Sequence, residues 1–468
     1  MNGRHQHPSR RATARSTLFS RPVIALAALW ASPLTAAPAA VSGTASALQV
    51  ELNVRLRAET ISGQFRPGRA DEDFLLTLRT NLFAEYDAGP VRIGGELLDA
   101  RGYGQKRNSS VSTSEINTLE PLQAYVAADL GDLLGKGNKG LAKAGRFTLE
   151  IGSSRLVGRP DSSNAPTAYT GAVVDLTRSD KDRLVLFWAM PNLRLPSDAD
   201  DIRHNRVEWD RSTTDLVFFG GSYNRAALIG DIGLEGYAYR LVEGDAAGYP
   251  TRDRRLTTLG LRIARKPGKG SFDFDLEAAR QTGSARATAA ATDNVPVPVR
   301  AAFGHAEIGR KLVGGWAPRL SAMVDYASGD RAGSARNERF DPLFGSRRAD
   351  LGYTGLYGLL SWANLVSAGA RLEARPNAGL DFFVAWRANW LASATDSFAA
   401  TGVRDRAGGA GRFAGHQVET RLRQQLADRL KLELGGIVFA KGRFLRDAPN
   451  APATGDTLYG YAALSASF

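Results

Sequence analysis

Apolar and polar residues alternate one by one along most of this chain. In residues 50–59, Val50, Leu52, Val54, Leu56 and Ala58 alternate with Glu51, Asn53, Arg55, Arg57 and Glu59. Side chains two apart share one face of an extended strand, so this segment has an apolar face and a charged one. Phe74, Leu76, Leu78, Leu82 and Ala84 oppose Thr77, Arg79, Asn81 and Glu85 in the same way. So do Leu380, Phe382, Val384, Trp386, Ala388 and Trp390 against Asp381, Arg387 and Asn389. The pattern predicts strands at 50–59, 73–86, 90–99, 120–130, 144–151, 168–178, 182–190, 213–224 and 230–242. It predicts nine more at 254–266, 271–283, 301–313, 317–328, 365–376, 379–391, 414–427, 429–441 and 457–468.

That makes eighteen strands, and the connections between them alternate between tight and long. Asp87-Ala88-Gly89, Asn377-Ala378 and Asp428 are tight; Arg331 to Thr354 and Ser393 to Phe413 are long and rich in Gly, Pro, Asp, Ser and Arg. An even strand count with this alternation predicts an all-β fold, a single closed antiparallel transmembrane β-barrel in a bacterial outer membrane. Both chain termini then lie on the tight-turn, periplasmic side. Residues 131–143 break the alternation and suggest a small periplasmic helix or flap in place of a turn.

The segment before the first strand changes the compartment. Arg4, Arg10, Arg11, Arg15 and Arg21 precede an apolar run from Val23 to Trp30, followed by small residues around Ala36 and again at Ala45-Ser46-Ala47. This is the pattern of a secretory signal peptide over residues 1–40, with cleavage as late as 47, and the barrel domain is 48–468. No later stretch approaches twenty apolar residues, which excludes helical membrane spans.

The chain of 468 residues has 60 Lys and Arg against 48 Asp and Glu. Without the five leader arginines the balance is 55 − 48 = +7, too weak to argue for nucleic-acid binding. Cysteine is absent, which removes disulfides, thiolate metal sites and Cys nucleophiles. His204, His305 and His416 are the only histidines past the leader, and none stands beside an evident nucleophilic Ser. No cofactor, metal centre or enzymatic activity is expected. Gly135, Gly137 and Gly140 satisfy G-x-G-x-x-G, but a strand follows where a phosphate-binding helix is needed. The acidic trio Asp198, Asp200 and Asp201 reads as a solvated loop ahead of a calcium site.

The arginines say more about function. Arg55, Arg57, Arg79, Arg146, Arg371, Arg375, Arg387, Arg421 and Arg423 fall on polar strand faces, which line the lumen of a barrel, and Arg155 follows closely in the chain. Guanidinium groups stay charged and bind carboxylates through paired hydrogen bonds, so such a wall can relay an anion between weak sites. The alternative is that acids of the same wall neutralise them.

Several segments resemble the alginate export family of outer-membrane barrels. Gly145-Arg146-Phe147-Thr148-Leu149, Gly152 and Arg155-Leu156-Val157-Gly158 are similar to one family stretch, with Phe147 in place of Gln. Tyr169-Thr170-Gly171 stands where the family has Phe-Asp-Gly. Asp325 to Asp330, Phe340-Asp341-Pro342-Leu343-Phe344-Gly345, Asn364-Leu365 and Val438 to Leu445 resemble further family segments. The resemblance implies an eighteen-stranded barrel passing an anionic polysaccharide through an arginine-lined pore. The expected partners are therefore anionic polysaccharide or small anions, outer-membrane lipid and, through the aromatic end at Phe468, the barrel-insertion machinery. A small-anion uptake porin, a surface adhesin or receptor, and a barrel hydrolase are the alternative readings.

Overall fold

The computed structural model describes residues 47–468 except 132–134, 136, 160–162, 179–180, 347 and 354. The predicted leader lies outside the described residues apart from Ala47. The first strands are β1 (Leu48–Ser62), β2 (Asp73–Asp87), β3 (Val91–Tyr103), β4 (Asn117–Asp129), β5 (Asn138–Phe147) and β6 (Tyr169–Arg178). They continue as β7 (Asp182–Pro191), β8 (Leu216–Ile229), β9 (Ile232–Glu243), β10 (Arg255–Arg265), β11 (Phe272–Ala285) and β12 (Val297–Lys311). The rest are β13 (Arg319–Ala327), β14 (Leu365–Asn377), β15 (Leu380–Trp390), β16 (Phe413–Ala427), β17 (Leu430–Lys441) and β18 (Thr457–Ser467). Each strand pairs antiparallel with its neighbour in sequence, and β1 pairs with β18, which closes the 18-stranded sheet into a barrel. Closure leaves no open edge whose backbone groups would need another partner.

The alternation read from sequence sets the two faces. Leu56 is 47% exposed outward, while Arg57 and Glu59 are each 1% exposed and point inward. Leu56 lies between Leu78 on β2 and Leu464 on β18, so one register row is apolar across three strands. Trp188, Trp316, Trp386, Tyr223 and Tyr326 are among the other large apolar side chains facing outward. Such a surface is stable when hydrocarbon, not water, surrounds it. Inside, tyrosines fill the space above glycines. A Cβ at Gly260 would lie 2.2 Å from the Tyr237 ring, and one at Gly435 would lie 2.3 Å from Tyr461.

Residues 131–143 differ from expectation. Strand β5 starts at Asn138, and Leu141 pairs with Asp129 on β4 and Asp175 on β6. The connection is therefore 130–137, and the predicted interruption was a strand start hidden by glycines that give no alternation. The other connections alternate between tight and long; residues 132–134 and 136, where a small helix or flap was expected, lie outside the described residues.

The longest connection, 328–364, folds into the barrel. It contains the short helix α2 (Arg348–Leu351), after α1 (Ala199–Arg203) and before α3 (Arg443–Asp447). Leu351, Tyr353, Leu356, Tyr357, Leu359 and Trp362 are all at most 3% exposed. Tyr353 stacks on Tyr461 at 4.1 Å, and Trp362 meets Phe303 edge-on at 5.0 Å. The segment thus spans from β12 to β18 across the lumen. Connection 148–168 folds in beside it: Phe344 N–H donates to the Leu156 carbonyl at 3.1 Å, and Gly158 N–H donates to that of Phe344 at 3.1 Å. Two inward loops joined by backbone hydrogen bonds form one partition inside the barrel.

Candidate functional site

Strand register places Arg55 and Arg79 directly opposite each other on β1 and β2. Like charges facing across a strand pair are destabilising, so other groups must hold them. Arg55 Nη2 donates to the Ser163 carbonyl at 2.9 Å and to Asn164 Oδ1 at 2.6 Å. Arg79 Nη1 donates to the same carbonyl at 2.8 Å. Both guanidinium groups thus converge on one neutral oxygen of connection 148–168. That segment is fixed in turn from connection 104–116: Asn164 Nδ2 donates to the Glu115 carbonyl at 3.1 Å, and Ala165 N–H to that of Ser114 at 3.1 Å.

A cavity of about 480 Å³ opens here toward the tight-turn half of the lumen, lined among others by Asn53, Arg55, Arg79, Asn81, Gln123 and Arg159. Glu96 also reaches it and is saturated by donors. Asn81 Nδ2 lies at 2.6 Å, Gln123 Nε2 at 2.5 Å and Arg159 Nη2 at 2.7 Å.

A second cavity, of about 540 Å³, lies among the long connections and shares Pro166 with the first. Its wall carries Ser114, Ser163, Thr167, Asn192, Arg194 and Tyr249. Arg194 donates to Thr167 Oγ1 at 2.6 Å, Ser114 Oγ at 3.1 Å and the Thr113 carbonyl at 3.4 Å. Among the described residues no carboxylate lies within 4.0 Å of it. Burial lowers the guanidinium from its ordinary value, while Asp210 and Glu115 oppose that from farther away. Arg194 escaped the sequence reading because a loop has no periodicity to assign a face. Its one signal is its place between Leu193 and Leu195, which are 7% and 6% exposed and anchor the backbone.

The other predicted arginines take different places. Arg57 pairs with Glu59 at 2.6 Å and donates to the Tyr353 hydroxyl at 2.5 Å. Arg146 pairs with Glu120. Arg371 and Arg421 lie over the Phe383 ring at 5.1 and 4.7 Å, and Arg421 and Arg423 share Asp381, each at 3.0 Å. Arg375 donates to the Ala378 carbonyl at the tight turn. The five arginines of β14 to β16 are therefore not one row: Arg387 is drawn away to Asp325 and to the Asp350 carbonyl.

Carboxylates concentrate on the arc from β9 to β14. Arg155 contacts Glu277 at 2.7 Å, Asp350 at 2.9 Å and Asp275 at 3.1 Å. Arg262 contacts Asp275 at 2.8 Å and Glu235 at 3.6 Å. Arg319 contacts Asp273, Glu307 at 2.7 Å and Glu373 at 3.1 Å. Burial would push the Asp350 carboxyl up, but Arg155 and then His305 outweigh it and hold it well below the ordinary carboxylate range. Burial likewise opposes the Arg155 charge, and its three acids outweigh that and raise it well above its usual value.

Two sequence departures are also placed. Phe147 is fully buried in the apolar core, so it does not face the cavities. Thr170 Oγ1 lies 2.7 Å from Ser212 Oγ and 3.3 Å from Asn192 Oδ1, beside the second cavity. In the acidic trio, Asp198 caps α1 by accepting from the Asp200 and Asp201 amides.

The model of the alginate export family matches residues 46–457. The chain belongs to that family. It is an outer-membrane β-barrel channel. No curated protein sequence matches it. Among solved structures, OccK2 (OpdF) of Pseudomonas aeruginosa is similar with a TM-score of 0.55 at 12% identity, over 90% of this chain and 97% of that one. OccAB1 of Acinetobacter baumannii gives 0.55 at 11% identity over 90% and 96%, and P. aeruginosa OccK5 (OpdH) gives 0.53 at 14% over 91% and 99%. At these identities the likeness is one of fold, and it extends over almost the whole barrel.

Proposed function

We propose that this alginate export family member passes anionic sugar-acid material by diffusion, along a path from the Arg194 cavity past Pro166 to the cavity of Arg55, Arg79 and Arg159. The observation that carries the reading is the direct opposition of Arg55 and Arg79 across β1 and β2. Two guanidinium groups side by side on a cavity wall can take an entering carboxylate through parallel charge-assisted hydrogen bonds. Serine, threonine and asparagine side chains in both cavities supply the neutral donors and acceptors that sugar hydroxyls need. The family's namesake polymer is an anionic polysaccharide, which fits this lining. No covalent step is required of the protein, and direction follows the gradient.

The test is the reversal potential of the purified barrel in a planar bilayer across a salt gradient. The parent should be anion-selective at low salt, with selectivity fading as the Debye length contracts toward about 3 Å at 1 M. Arg55→Ser combined with Arg79→Ser should lose most of that preference, and an oligouronate should block the parent current more than the variant's. A cation-selective parent, or a variant with unchanged selectivity, would refute the path.

A further inference from the structure

The acidic arc is not neutral. In the ion pairs described above, four arginines (Arg155, Arg262, Arg319 and Arg387) meet eight carboxylates, an excess of four negative charges among the described residues. Even with Arg371, which acts on Asp350 from nearby, the arc remains acidic. Carboxylates crowded in a poorly hydrated space favour a further cation or proton.

At the centre stand His305 and Glu307 on β12 and Asp350 on α2. Each offers a ligand atom, and the three atoms lie within 4.8 Å of one another. His305 Nδ1 is 2.6 Å from Asp325 Oδ1, so a neutral ring carries its proton there and turns the Nε2 lone pair to the other side. That side chain is fully buried, and Nε2 has no hydrogen-bond partner. A desolvated lone pair without a partner is uncommon in a folded protein and calls for an explanation. A carboxylate behind an imidazole whose far nitrogen is open is how metal-binding histidines are oriented.

We propose that His305, Glu307 and Asp350 bind a divalent transition-metal ion of the zinc class, with Asp325 orienting the imidazole. One imidazole nitrogen and two carboxylates suit zinc, and water completes the coordination. Arg319 engages Glu307 through Oε1, which leaves Oε2 for the metal. Arg155 holds Asp350 through Oδ2 at 2.9 Å and Oδ1 at 3.3 Å, and the longer contact is the one that yields. Metal bonds of about 2.0–2.2 Å set ligand atoms roughly 3.4 Å apart, so the cluster must contract by about an ångström. The loop that carries Asp350 is the element that moves. Two ligands belong to the wall and one to the inward loop, so the ion fastens the partition to the barrel. This does not depend on the anion path and adds a means of setting how firmly the partition is held.

The test uses the full-length barrel in detergent, stripped with a chelator and then dialysed against micromolar Zn²⁺, with bound metal read by mass spectrometry. One Zn²⁺ per chain is expected. His305→Gln and Glu307→Gln should each weaken uptake about tenfold or more while keeping the heat-modifiable folded band, and His204→Gln, at the surface, should not. Co²⁺ should give visible d–d absorption in the parent and none in His305→Gln. Uptake by the parent no greater than by folded His305→Gln, or uptake lost in His204→Gln alone, would overturn the site.

Discussion

Replacing Arg155 by Leu should free the inward loop from the barrel wall. Arg155 is 4% exposed and joins connection 148–168 to Glu277 and Asp275 on β11 and to Asp350 on α2. Leucine fills part of the volume but leaves three carboxylates without this counter-charge. Asp275 keeps Arg262, whereas in the described ion pairs Glu277 and Asp350 lose their arginine. Removing one partner of a buried ion pair costs about 3–5 kcal/mol, which is roughly a hundredfold to a few thousandfold in the detachment equilibrium. Detachment exposes Tyr353, Tyr357 and Trp362, which are otherwise at most 3% exposed. Chymotrypsin added to the folded barrel should therefore cut within residues 353–362 at least a hundredfold faster in the variant, and single-channel current should become noisier. The backbone bonds between Phe344 and residues 156–158 remain, so the loops should swing together and stay attached to each other. Arg155→Leu with Asp350→Asn should recover part of the protection, because of the three carboxylates only Glu277 then lacks an arginine in the described ion pairs. Equal cleavage of parent and Arg155→Leu at equal folded yield would refute the assigned role.

Acid should loosen the same contact only late. The folded Asp350 carboxyl sits below its unfolded value of about 3.9, so its stabilisation is complete above that pH and is lost as pH falls through the lower folded value; pulse proteolysis at graded pH should show this order, and loosening near pH 6 would contradict it. Cysteines at Arg336 and Arg406, on exposed long connections, should react with an impermeant thiol reagent on intact cells, and cysteines at Ala378 and Asp428 should not; equal labelling would defeat the orientation. Deleting Phe468 removes two backbone hydrogen bonds to Leu52, of 2.8 and 3.1 Å, and should lower the heat-modifiable barrel recovered from outer membranes; an unchanged yield would show the terminal residue to be incidental.

The wall was readable because lipid and lumen impose opposite demands on successive residues, and alternation records that conflict directly. Strand β5 starts earlier than alternation indicates, because Gly135, Gly137 and Gly140 lack side chains to register a face. The interior was harder to read. Alternation assigns Arg57 to the lumen but says nothing of Tyr353, whose hydroxyl meets it from 296 residues away. The opposition of Arg55 and Arg79 depends on hairpin register, which the turn at 88–90 does not fix for the neighbouring pair β1–β2. A clue to the partition was present: Leu351 to Trp362 is strongly apolar for a stretch supposed to face water. A solvent-facing loop of that composition has to bury itself somewhere, and the barrel offers the nearest apolar surface.

The pairing of β1 with β18 bears on how the molecule is made. Most of its sheet contacts join neighbours in sequence and can form as soon as a hairpin exists, but the seam joins Asn53 to Ser467 and Ser62 to Leu458. Loop closure over such a span is the most entropically demanding contact in the sheet, and it cannot begin until the final strand has emerged. Until then β1 has one satisfied edge and one bare edge, in a half-cylinder that neither water nor lipid solvates well. The bare edge of β1 therefore stays open to pairing with other chains until β18 closes the seam.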